Sequence, residues 1–146
     1  NYRKFKINIS RKDKRNYLVM VFDSKEAMRS FAKQIYKKQS FRTSQASTHS
    51  FKAYKNVDGK DVLSNTVGVI MFYKNGFGHG IVSHEAAHAV NYLFLKEKID
   101  FNFNKEHNKD WHKQNERYAT ILGYMVNQFW KKYNKITGQK NIYERY

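Results

Sequence analysis

The sequence predicts a small α+β domain. Three observations carry that expectation. Two runs of β-forming apolar residues, Tyr17–Phe22 and Thr66–Tyr73, are too short for helices and are bounded by polar or turn residues. Apolar residues at helical spacing follow the first run, from Lys25 to Lys38, and recur from Trp111 to Asn134. Between them lies an apolar stretch, Val82–Lys96, of helical length.

The chain has 146 residues, enough to bury one real core, so a single domain over 1–146 is expected. Hydrophobic residues make up 40% and aromatics 16%, which excludes a disordered chain. There are no cysteines, which removes disulfides, thiolate zinc sites and a thiol nucleophile. No run approaches the length of a membrane span, so no membrane partner is expected. No secretory leader is read at the N-terminus, and the expected location is cytoplasmic.

Residues 1–15 hold Arg3, Lys4, Lys6, Arg11, Lys12, Lys14 and Arg15 against Asp13 alone. Phe5, Ile7 and Ile9 alternate, which allows a short strand, but the charge favours a solvated, flexible basic arm. Tyr17–Phe22 reads as a buried strand. Asp23 and Ser24 offer N-cap chemistry to the helix that follows, whose apolar face is Ala27, Met28, Phe31, Ile35 and Tyr36. Phe41–Asn56 is rich in Ser and Thr and suggests one or two exposed strands, with His49 at the surface. Asp58-Gly59 marks a turn before a short strand at Val62 and Leu63. Thr66–Tyr73 is the second strong strand, ended by Lys74-Asn75-Gly76. Phe77-Gly78-His79-Gly80 then bridges to the apolar helix. A loop over Ile99–Asn108 leads to the last helix, whose apolar face is Tyr118, Ile121, Leu122, Met125, Phe129 and Tyr133. A second face combines Glu116, Ala119, Thr120, Gly123 and Asn127, small enough to lie close to another helix while offering one carboxylate. Beyond Asn134 the chain is basic and aromatic, and Gly138 breaks any helix.

Chemistry concentrates in the apolar helix. His84-Glu85-Ala86-Ala87-His88 reads H-E-x-x-H. Positions four apart share a helix face, so His84 and His88 can hold one metal ion, and Glu85 beside them can activate water. The expected site face is His84, Glu85, His88 and Asn91, and the core face is Val82, Ala86, Val90, Leu93 and Phe94.

This motif resembles that of zincin-type metallopeptidases. The further run Ala119-Thr120-Ile121-Leu122-Gly123-Tyr124 is similar to small H-E-x-x-H proteins of bacteriophage and bacterial mobile elements, over roughly residues 67–130. The resemblance implies a minimal zincin-like fold. It would have a twisted sheet of three or four strands, an N-terminal helix, the zinc helix and a C-terminal partner helix. It implies a zinc-dependent peptide-bond hydrolase acting on protein or peptide, in a bacterial host cytoplasm if phage-encoded. Glutamate-liganded zincins take their third ligand from a later helix in an Asn-Glu-x-x-small context, which Asn115-Glu116-Arg117-Tyr118-Ala119 matches, 28 residues beyond His88. Thr120 stands where that group usually has a supporting aspartate. His107 and His112 are rival third ligands, and Asp110 is a further carboxylate. His107-Asn108-Lys109-Asp110-Trp111 resembles the third-ligand segment of SprT-like, DNA-associated zinc proteases. Glu85 is then the catalytic base. His79, Tyr118 and Tyr124 are candidate donors to the transition state, and His79 is also a candidate extra ligand.

A formal charge of +16, from 28 basic and 12 acidic residues, motivates a second function class. Such a balance favours polyanions, so a nucleic-acid-binding or anti-host-defence protein is the alternative expectation. In a third class the metal only staples helices together.

Overall fold

The computed structural model describes residues 2–36, 45–99 and 109–138. In chain order the elements are β1 (Tyr2–Asn8), β2 (Asn16–Phe22), α1 (Lys25–Tyr36), β3 (Ala46–Ser50), β4 (Tyr54–Val57), β5 (Lys60–Leu63), β6 (Thr66–Tyr73), α2 (His79–Lys96) and α3 (Lys109–Thr137). The fold is α+β, with four strands in the order β1-β2-β6-β3. β2 and β6 run parallel in the centre, and β1 and β3 are antiparallel edges. Both central strands are covered on both faces, which is why they read as continuous apolar runs rather than alternating ones.

Strand alternation sorts the core into two layers. Val19, Val21, Ile70 and Phe72 face α2 and α3, while Met20, Phe22, Val69 and Met71 face Met28 and Ala32 of α1. The helix α1 starts where the sequence places a cap, with the Ala27 N–H donating to Ser24 Oγ at 3.0 Å. Asp58 and Gly59 both have positive φ, 53° and 81°, as a two-residue hairpin turn between β4 and β5 requires. This ribbon prolongs β3 and β6, through Phe51 N–H to Val67 O (3.0 Å) and Ser64 N–H to Ala53 O (2.6 Å).

The basic N-terminal segment is not a solvated arm. Residues 2–8 pair with β2 from Tyr2↔Phe22 to Asn8↔Asn16. Ile7 and Ile9 are buried, and Phe5 packs on Phe129 at 5.6 Å, so the short apolar alternation outweighs the lysines between. Its open edge is sealed by α3. The Asn8 N–H donates to Gln128 Oε1 at 3.0 Å, and Gln128 Nε2 donates to Asn8 O at 2.6 Å. One amide side chain thus replaces a neighbouring strand at that residue.

α2 is fastened to the sheet by Tyr17. The ring passes over Gly68, where an added Cβ would meet Tyr17 Cε1 at 2.3 Å, and the hydroxyl donates to Ala89 O at 3.1 Å. Burial pushes the Tyr17 phenol up to about 12.

The lower end of the helical layer is closed by ions. Arg15 bridges Asp13 (2.8 Å) and Glu97 (2.9 Å), and Arg117 reaches Glu97 at 2.6 Å. The bond from Arg117, with that from Arg15, holds the Glu97 carboxyl below its ordinary range. A carboxylate depressed in the folded state stabilises above its unfolded pKa, about 4.3, and loses that contribution as pH falls through the folded value. Glu97→Gln should therefore cost about 0.5–1 kcal/mol at neutral pH, allowing for solvent screening. The difference should close as the pH drops below about 4. Urea titrations of both proteins at the two pH values check this, and a gap that persists in acid would contradict it.

No helix among the described residues is long and apolar enough to cross a membrane.

Candidate metal centre

The helix α2 begins at His79, three residues earlier than the sequence suggests, because Gly78 is extended and Val82 N–H already donates to Gly78 O at 3.0 Å. Its sheet-facing residues include Val82, Ala86, Ala89, Val90, Leu93 and Phe94, all buried. His84 and His88 stand on the opposite side, exposed. The stripe between holds Glu85, only 6% exposed, turned toward β3.

Two imidazoles and one carboxylate converge there, with ligand atoms all within 4.8 Å of one another. The Nε2 atoms of His84 and His88 lie 3.1 Å apart, with ring planes at 83°. Two nitrogens on one tetrahedral ion, each about 2.0–2.1 Å from it, would be about 3.3 Å apart. The donor set therefore fits a metal ion. Of the expected site face, Asn91 is exposed and stands within about 20° of His84 round the helix, one turn beyond His88.

Glu85 is fixed from the neighbouring edge strand. Thr48, itself buried, approaches Glu85 Oε2 at 2.5 Å and the Glu85 carbonyl oxygen at 3.2 Å. A hydroxyl has one proton to donate, and the shorter contact is the one to the carboxylate oxygen. A buried carboxylate without a donor would be costly, so this bond is part of what keeps Glu85 at the site. An open concavity of about 420 Å³ lies in front, lined by Gln45, Ala46, Gly80, Ile81, His84 and Glu85. Sequence reasoning did not find Thr48. It stands in a run of serines and threonines, and only the register against β6, Thr48↔Ile70, selects it. That register also puts His49 opposite Val69, on the α1 side of the sheet and away from the centre.

Glu116 does not join the histidines. Tyr118 is the residue of α3 that reaches α2: its hydroxyl donates to Ala87 O at 3.2 Å and its ring meets Phe94 edge-on at 5.5 Å. At 100° per residue Glu116 points about 160° away from Tyr118. It is exposed, and lines a separate concavity of about 640 Å³ with Ile9, Ser10, Lys14 and Thr120 among others. The face expected to lie against α2, Glu116, Ala119, Thr120, Gly123 and Asn127, is exposed throughout. The aromatic Tyr118 edge outcompetes that small-residue face because it buries more apolar surface.

The remaining candidates separate. His112 is exposed on α3 and outside the three-residue group. His107 and the side chain of Asp110 lie outside the described residues. His79 packs its ring against Trp130 at 5.1 Å, on the α3 side of α2. The Tyr118 hydroxyl is engaged with Ala87, and burial raises its pKa. Tyr124 lies about 120° round α3 from Tyr118, off the edge that meets α2.

No protein-family model, no curated protein and no solved structure matches the chain.

Proposed function

We propose that the chain is a zinc-dependent hydrolase of peptide bonds. The observation that carries this reading is the pair of imidazole nitrogens 3.1 Å apart, with a buried carboxylate in reach of the same ion. His84 and His88 would hold zinc. Bound there, the ion supplies Lewis acidity for a substrate carbonyl and lowers the pKa of water toward neutrality. The carboxylate of Glu85 takes the proton from the attacking water and passes it to the leaving amine. Thr48 keeps Glu85 turned toward the ion's surroundings, so the proton acceptor needs no rearrangement before it acts. Burial of Glu85 also keeps bulk water from competing for its oxygens.

Peptide is the substrate class because β3 is an outer strand beside the concavity. An extended peptide pairing with that edge would bring successive carbonyls past His84 and Glu85.

The test is incubation of zinc-loaded protein with a library of unstructured peptides, read by mass spectrometry. Cleavage is expected, lost on chelation and regained with zinc. Cleavage indifferent to chelator, or no cleavage by fully zinc-loaded protein, would contradict the reading.

A further inference from the structure

A second surface does not depend on the metal centre. Two stretches of the fold, β1 with the residues just after it and α3 beyond its first two turns, carry cations and no acid. From Tyr2 to Lys12 there is no aspartate or glutamate, and none from Arg117 to Gly138. Of the other charged elements α1, β5 and α2 are mixed, with Glu26, Asp61 and Glu85, and the four-residue β4 holds Lys55 alone.

The fold joins the two acid-free stretches edge to edge. Arg3 Nη1 donates to Ile136 O at 2.7 Å, Lys132 Nζ to Lys6 O at 2.5 Å, and Gln128 pairs with the backbone of Asn8. Strand alternation puts Lys4 and Lys6 on the α1 side of β1 with Tyr2, which packs on Phe31, and Arg3 on the α3 side. On α3, at 100° per residue, Lys135 and Lys131 lie within about 60° of Gln128, the residue that meets β1. Arg3, Lys4, Lys6, Lys131, Lys132 and Lys135 therefore flank one rim. It runs about 20 Å along β1, taking the usual rise per residue. It lies across the whole sheet from β3 and the metal centre.

We infer that this β1–α3 rim binds the sugar-phosphate backbone of nucleic acid. A duplex offers one negative charge per roughly 1.7 Å of axis, a linear polyanion that a row of cations complements. An anionic bilayer is the weaker partner. Interfacial elements bury a continuous apolar face, whereas among the described residues of β1 and α3 the large apolar side chains exposed are Tyr2 and Ile136, 44% and 37% exposed. Backbone recognition of this kind carries no base preference.

The experiment is fluorescence anisotropy with a labelled duplex of about 30 base pairs, roughly three turns, and with its single strand. Salt is varied between about 50 and 200 mM. Log K should fall linearly with log salt, with a slope of about −4 to −5 if most of the six cations engage phosphate. The triple variant Lys4→Gln, Lys6→Gln, Lys135→Gln should reduce the slope by about 3 and weaken binding at least about ten-fold. The matched triple Lys52→Gln, Lys55→Gln, Lys60→Gln removes the same net charge elsewhere and should leave both unchanged. These six side chains are all exposed, and melting curves confirm that each variant is folded. Equal losses in both triples would reduce the effect to net charge and overturn the rim. So would failure to bind either nucleic acid at low salt, or binding to phosphatidylserine vesicles alone. His84→Ala should bind nucleic acid as the parent does, which separates this surface from the hydrolase reading.

Discussion

Zinc-loaded Glu85→Gln should keep its metal and lose peptide hydrolysis by about 10²–10⁴-fold, the usual contribution of a positioned general base. The substitution is nearly isosteric. Glutamine Oε1 can still accept from Thr48, so the 2.5 Å contact and the packing of a side chain only 6% exposed are preserved. What disappears is an oxygen that can take a proton. Thr48→Val leaves the carboxylate but removes its donor. It should slow turnover by a smaller factor, mainly in kcat, and Thr48→Ser should recover most of it. Cleavage by Glu85→Gln at the parental rate would remove Glu85 from the chemistry. Loss of metal from Glu85→Gln would make Glu85 a ligand instead of a base. A melting temperature that falls steeply on metal removal, with no hydrolysis in any protein, would leave only a structural metal.

Phe129→Ala should destabilise the domain by about 3–5 kcal/mol. Phe129 is buried where α3 meets β1, β6 and the loop before α2. Its ring lies 5.6 Å from Phe5 of β1, 5.1 Å from Phe72 of β6 and 5.5 Å from Phe77 in the approach to α2, and it stacks on Tyr133 of α3 at 9°. Truncation removes the transfer energy of the ring and leaves a cavity that rigid neighbours from two strands cannot collapse into. For a chain of this size the melting temperature should fall by about 10 °C or more. A loss below about 1 kcal/mol would show that the aromatic cluster is not the joint between α3 and the sheet.

The parts of the fold legible in the sequence are those fixed by local pattern. The strands β2 and β6, the Ser24 cap of α1, the Asp58-Gly59 turn and the H-E-x-x-H helix each follow from a handful of consecutive residues. β1 was obscured because Lys4 and Lys6 interrupt an alternation of only three apolar positions. Its edge is also satisfied by Gln128, 120 residues away. The two histidines and Glu85 were legible, since a helix fixes their relative directions. Thr48 was not, because strand register decides which hydroxyl in a serine- and threonine-rich segment meets Glu85. The direction of Glu116 was not legible for a related reason. Sequence gives α3 its faces but not its rotation about its own axis. The Tyr118 contact with Ala87 and Phe94 sets that rotation and turns Glu116 outward.

The most direct test of the metal centre is elemental mass spectrometry of the purified chain after zinc loading, beside His84→Ala, His88→Ala and Glu116→Ala. About one zinc per chain is expected in the parent, with loss in either histidine variant and retention in Glu116→Ala. A parent that takes up no zinc, or histidine variants that retain it, would contradict the account.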